Sequence, residues 1–278
     1  MRRRILIVLG VAVAWGIAAT MASGAGPSPG LSQPAKGLTN GNVQYLAVPA
    51  GSETSVQVTN RQGDRLLREM TLKGVWGIPL VAFDGTAEGL LADRHTLLLA
   101  QSLFRGQSLR KTTTFALVDV RKMKLSGKIR LRGAFSFDAL SSDGRYLYLI
   151  EYITADDPSL YRVRAYDLGK GKLLAKIVAD RKSWETGMQG SPVSRTWKDG
   201  WAYTLYGGNA QPFIHALNTR RVEAVCIDMP WKGSPERLFD FRVRTDRDGH
   251  LVVRGPHGRA LVVVDRHSFR ILSSVANP

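Results

Sequence analysis

Two short patterns alternate along this chain, and together they restrict its fold more than any other feature. The first is a polar turn followed by an apolar strand, seen most clearly in "SSDGRYLYLIE" (141–151). It recurs in "TNGNVQYLAV", "LADRHTLLLA", "WKDGWAYTLY" and "DRDGHLVVRG", with turn residues Asn40, Asp93, Asp143, Asp199 and Asp248 spaced by 53, 50, 56 and 49. Gly41, Gly144, Gly200 and Gly249 follow four of them. The second pattern is an apolar strand that ends in Asn or Asp before a polar turn and another strand. Its landmarks are Asn60, Asp119, Asp167, Asn218 and Asp265, in phase with the first set.

The physics of one unit follows from its residue types. Strands such as "YLYLI" and "LLAKIV" are aromatic or aliphatic and are bounded by Gly, Asp and Asn. Asx side chains close tight turns on their own backbone, and glycine accepts positive φ. Each unit therefore makes about four short antiparallel strands. A single sheet of that size cannot cover both faces, whereas sheets stacked around an axis cover each other. The expected fold is all-β, a β-propeller of about five four-stranded blades. Blade repeats fall at about 38–76, 77–133, 134–180, 181–231 and 232–278. A sixth, degenerate blade remains open.

The Ser142-Asp143-Gly144-Arg145-Tyr146-Leu147-Tyr148 stretch and the hairpin from Val163 to Lys172 resemble the repeats of WD40-like and YVTN-type β-propeller proteins. Their pattern is S-P-D-G-R-x-L-Y-V followed by V-x-V-x-D-x-x-T-G; the proline is missing here, as are the Trp-Asp and Gly-His dipeptides of true WD40 repeats. The resemblance covers 38–275 and implies that both landmark turns lie on one face of the propeller. Ligands of such propellers usually meet the opposite face.

The N-terminus reads as an export signal. Arg2, Arg3 and Arg4 precede an apolar run from Ile5 to Ala19, and small residues follow. Residues 1–25 are a signal peptide or an uncleaved anchor, and 26–37 form a flexible Pro/Gly/Ser linker. The protein is thus expected to be extracytoplasmic, secreted or held at the cell envelope. The membrane is touched only through the N-terminal segment if that stays uncut.

Lys and Arg number 39 against 23 Asp and Glu, a net charge of +16; removing 1–25 would leave +13. Part of that excess suits the outer strand of each blade, where cations discourage edge-to-edge pairing. The remainder favours a polyanionic envelope polymer as partner, or a protein. Export, and the lack of aromatic platforms among the basic runs, argue against nucleic acid. The single Cys226, in an apolar run, excludes an intrachain disulfide and reads as a buried thiol.

Loops on the ligand face carry the candidate binding residues. The loops within blades are 50–55, 101–113, 151–160, 207–212 and 254–259; those between blades are 73–79, 132–135, 179–192 and 230–238. They place Trp76, Phe104, Arg105, Arg110, Tyr152, Asp156, Asp157, Arg181, Trp184, Glu185, Trp231 and Arg237 on that face. Trp76, Trp184 and Trp231 equally suit packing between blades. Five scattered histidines and one cysteine make no zinc pattern, and "TDRDGH" (245–250) lacks most of a calcium loop. No metal or cofactor is expected.

No G-x-S-x-G elbow is present. The inner strands offer Asp138, Arg195, Arg242 and Arg244 but few acids. The expected function is a non-catalytic, monomeric binding or scaffold module. The alternative is a lactonase-like hydrolase working at the central channel.

Overall fold

The structure, a computed structural model, describes residues 37–102, 104–105, 108–153, 161–179, 190–207, 211–232 and 238–275. Blade 1 is β1 (Leu38–Asn40), β2 (Val43–Ala50), β3 (Glu53–Asn60) and β4 (Leu66–Lys73). Blade 2 holds β5 (Thr96–Ala100), a two-residue hairpin β6 (Phe104–Arg105) and β7 (Ser108–Leu109), then β8 (Thr112–Asp119) and β9 (Lys124–Arg132). Blade 3 is β10 (Phe135–Leu140), β11 (Tyr146–Tyr152), β12 (Tyr161–Asp167) and β13 (Lys172–Val178). Blade 4 is β14 (Ser191–Lys198), β15 (Trp201–Gly207), β16 (Phe213–Asn218) and β17 (Glu223–Asp228). Blade 5 is β18 (Arg242–Thr245), β19 (Leu251–Arg254), β20 (Ala260–Val264) and β21 (Ile271–Ser274). Blades 1, 3, 4 and 5 are four-stranded antiparallel meanders, their strands hydrogen-bonded in chain order. The chain is a β-propeller of five blades.

Blade 2 departs from the pattern: its main sheet has three strands, ordered β5-β8-β9. The inner position is held only by isolated bridges, Gly77 to Ala100 and Leu90 to Leu97. Between them the chain makes a small excursion closed by a Leu80–Ala87 bridge. Pro79 lacks a backbone donor, and Gly85 and Gly89 take positive φ of 86° and 135°, so a continuous ladder cannot form there.

Alternation along the strands explains how both faces of a blade are buried. Leu97 and Leu99 pack toward blade 1, whereas Leu98 and Ala100 pack toward blade 3. In β11, Leu147 and Leu149 face blade 2 while Tyr148 and Ile150 face blade 4. A strand covered on both sides is apolar throughout, as "YLYLI" is. Among the described residues, four apolar cores join blades 1–2, 2–3, 3–4 and 4–5. The outer strands are wet; every residue of β21 is exposed.

The two landmark turns lie at the same end of each blade, because strands one and three run the same way. All five residues of the second landmark accept backbone N–H groups. Asn60 takes those of Gly63 and Arg65, Asp119 those of Arg121 and Lys122, and Asp167 that of Lys170. Asn218 takes those of Arg220 and Arg221, and Asp265 those of His267 and Ser268. The N–H of Lys122 holds Asp119, and that of Ser268 holds Asp265, below the ordinary carboxylate range. Their stabilising effect is present above the unfolded value of 3.8 and is lost as pH falls through the lower folded value.

Turns also clasp neighbouring blades. Arg94 Nη2 donates to Asn40 Oδ1 at 2.8 Å, Arg220 Nε to Ser142 Oγ at 3.0 Å, and Arg266 Nη2 to Asp199 Oδ2 at 2.9 Å. Asp93 and Asp143 close their own turns onto the N–H groups of His95 and Arg145. In blade 5 that role passes to Asp246, which accepts from His250 N at 2.8 Å, and Asp248 is not the closing residue. The turn chemistry needs an acceptor, not a charge. Asn218→Ala should cost about 1–2 kcal/mol in urea unfolding, since two buried-side donors lose their partner. Asn218→Asp and Asp143→Asn should each stay within about 0.5 kcal/mol of the parent.

Candidate functional site

The excursion of the blade 1–2 connection reaches across the inner strands of other blades. Phe83 N and Asp84 N donate to the carbonyls of Pro192 and Val193 in β14, at 2.9 and 3.0 Å. This brings two acids to the axis, where they meet a buried arginine. The Arg195 side chain is 1% exposed. Its Nε donates to Thr204 Oγ1 at 2.9 Å, and its two terminal nitrogens donate to the carbonyl and Oδ1 of Asp138. Nη1 also lies 3.4 Å from Glu88 Oε1, which accepts Trp197 Nε1 at 2.7 Å. Asp138 sits where the β10–β11 register shifts between Phe137 and Ala139; a bulge there re-aims the side chain.

Burial pushes the Glu88 carboxyl above the ordinary range, against the opposing pull of Arg195 and Trp197. A raised folded value makes the native state hold its proton longer than the unfolded chain does. Stability from this group is therefore greatest at or below the unfolded value of 4.5 and falls as pH rises through the folded one. Asp84 is also engaged: its Oδ1 accepts Thr86 N and Oγ1, at 3.0 and 2.6 Å. These carboxylates are enclosed and bonded, so they offer no open pair for general acid–base work.

Next to this cluster lies a cationic pocket of blade 5. This open pocket of about 610 Å³ is lined by Asp240, Arg242, Arg244 and Arg254, and by the Gly255-Pro256-His257-Gly258 turn. The β18–β19 register explains the lining. Val243 pairs with Val253 and both are fully buried against blade 4. The alternate positions, Arg242 opposite Arg254 and Arg244 opposite Val252, point to the other face. Arg244 Nη1 lies 3.8 Å from Asp84 Oδ2, while among the described residues Arg242 and Arg254 bond backbone carbonyls alone. Beside the pocket, Phe83 is 41% exposed and meets Phe239 edge to face at 5.2 Å.

Among the described residues, the loop residues singled out from sequence sit at separate places in the fold. Trp76 is buried between blades 1 and 2, its Nε1 donating to Lys73 O at 2.9 Å and Lys128 above its ring. Trp231 is buried between blades 4 and 5 against Phe241. Tyr152 is buried between blades 3 and 4 beside Tyr161. Arg110 is half-buried and donates to Ser102 O at 2.6 Å. Phe104 and Arg105 form β6. Asp156, Asp157, Arg181, Trp184, Glu185 and Arg237 lie outside the described residues. Inner-strand Asp138, Arg195, Arg242 and Arg244 do converge. Sequence reasoning missed Phe83, Asp84 and Glu88, because "FDGTAEG" carries no strand pattern to tie it to the axis. On the opposite face, ligand atoms of Asp246, Asp248 and His250 lie within 4.8 Å of one another, with Asp246 already engaged in closing its turn.

No protein-family model and no curated protein matches the chain. Among solved structures it is similar to the Dos1 propeller, at 11% identity over 83% of this chain and 54% of that one, TM-score 0.49. It is also similar to dihydro-heme d1 dehydrogenase NirN, at 14% identity over 89% and 47%, TM-score 0.48. A third is Kuenenia stuttgartiensis hydrazine synthase, at 20% identity over 66% and 47%, TM-score 0.40. The chain spans about half the length of each of these three proteins.

Removing the buried cation tests how the centre is held. Arg195→Met should cost about 3–5 kcal/mol at pH 7, because Asp138 and Glu88 are left enclosed without a counter-charge. The loss should shrink on moving to pH 5, and Glu88→Gln should flatten the decline of stability above pH 4.5. Urea titrations across that range measure both.

Proposed function

We propose that this chain is an exported, non-catalytic propeller that binds an acidic cell-envelope polymer at the arginine-lined pocket of blade 5. The observation that carries this reading is the Arg242–Arg254 pair. Two guanidinium groups face each other across neighbouring strands with no carboxylate bonded to either among the described residues. The net charge of +16 adds a general attraction for polyanions, and the pocket adds a local one. The exposed Phe83 edge beside it provides an apolar contact for the uncharged part of such a ligand. Export rests on the three arginines and apolar run of the first 25 residues. Hydrolysis is not favoured, because Asp84, Glu88 and Asp138 are each committed to buried partners.

The test is direct binding of the full-length chain to soluble polyanions: a polyuronate, poly-glutamate and poly(glycerol phosphate). Binding to at least one should persist at about 0.15 M salt, where the Debye length is near 8 Å and diffuse attraction is weak. Loss of every polymer at that salt would leave only non-specific electrostatics and overturn the reading.

A further inference from the structure

Opposed like charges across an antiparallel pair destabilise a sheet. Blade 5 nevertheless places Arg242 directly opposite Arg254, at a position where Val243 and Val253, one step away, show that aliphatic pairs fit the same strands. The cost is concentrated at the one end of the blade that opens into the pocket. Residues that oppose local stability without a compensating partner mark places where function overrides folding.

The two guanidinium groups are also aimed. Arg242 Nη1 donates to the carbonyls of Phe239 and Phe241 at 2.7 and 2.8 Å, and Arg254 Nη1 to that of Gly258 at 2.9 Å. Each side chain is thereby tethered by one nitrogen, and its Nε and Nη2 have no bonded partner among the described residues. The Gly258 carbonyl is held in turn by a tight loop in which His257 and Gly258 take φ of 60° and 78°. His257 lines the pocket next to these groups.

From this arrangement we infer that the blade 5 pocket is a site for a phosphoryl group carried on a hydroxylated unit such as glycerol or a sugar. This rests on the polyanion reading above and narrows it. A carboxylate meets one guanidinium fork face-on with its two oxygens and leaves a second fork only the outer lone pairs; a phosphoryl group, with a third oxygen, can meet two forks face-on at once. Arg244, loosely offset by Asp84, adds positive field behind them. Asp240, on the same lining, repels a second anion but accepts hydrogen bonds from neighbouring hydroxyls. A volume of about 610 Å³ admits one repeat unit, not a folded domain.

Calorimetry on the full-length chain separates the outcomes. Probes are sn-glycerol 3-phosphate, poly(glycerol phosphate), poly-glutamate and succinate, at fixed salt. The phosphate-bearing probes should bind more tightly than succinate. Arg242→Gln and Arg254→Gln should each weaken them by about 10–100-fold, the range for one charged hydrogen-bonded contact. Arg242→Lys, which keeps the charge and loses the fork, should still weaken binding. Arg130→Gln, on the exposed outer strand of blade 2, should not, and the unfolding midpoints of all four variants confirm that they fold. Competition between free glycerol phosphate and the polymer would assign both to this pocket; binding of the polymer alone, lost in both Gln variants, would assign the site to a polymer repeat. Succinate binding as tightly as the phosphates, or phosphate binding unchanged in both Gln variants, overturns the inference and leaves the polyanion reading standing. Failure of the parent chain to bind any polyanion removes both.

Discussion

Arg195 is where the inner strands of this propeller are tied together. Its guanidinium group reaches Asp138 of blade 3 and Glu88 of the blade 1–2 connection from a strand of blade 4. Asp84, from the same connection, carries the contact on to Arg244 of blade 5. Enclosed charges are unfavourable unless each is paired and hydrogen-bonded. Removing one member leaves the others enclosed and uncompensated, and Trp197, Thr204 and Thr86 each bond one of them in place.

The irregularity of blade 2 and the construction of the centre are one fact. A regular inner strand would have kept residues 77–90 flat against β5. Pro79 and two glycines prevent that, and the freed segment carries Phe83, Asp84 and Glu88 over to blades 4 and 5. One blade gives up ladder hydrogen bonds, and the ring gains a cross-brace. Blade 5 is unlike its neighbours for a related reason. Its face toward blade 4 is aliphatic, but its other face, at the pocket, is built from Arg242, Arg244 and Arg254. The same alternation that buries Val243 and Val253 is what presents the arginines.

Much of the fold was legible in the chain because turn closure is local. An Asx side chain bonds an N–H two or three residues ahead, so Asn60, Asp119, Asp167, Asn218 and Asp265 carry their own instructions. Strand residues such as those of "YLYLI" declare double-sided burial by having no polar alternate. The candidate site was legible only in part. Asp138, Arg195, Arg242 and Arg244 stood out as charges within strand patterns, where a charge is anomalous. Trp76, Trp231 and Tyr152 drew attention as large side chains in connections, and the structure places them between blades, where their area is buried.

By itself, then, the sequence determined the repeat, a propeller of about five blades and the turns that close each unit, since these depend on spacings of a few residues. It also determined the basic charge and the apolar N-terminal run. The tertiary structure decided which charges are neutralised and which are free. Glu88 and Arg195 are 107 residues apart, and Asp138 and Arg195 are 57 apart. Arg242 and Arg254 face the same opening because a strand pairing sets their register. Such contacts depend on how blades close around an axis, and no local pattern encodes that geometry.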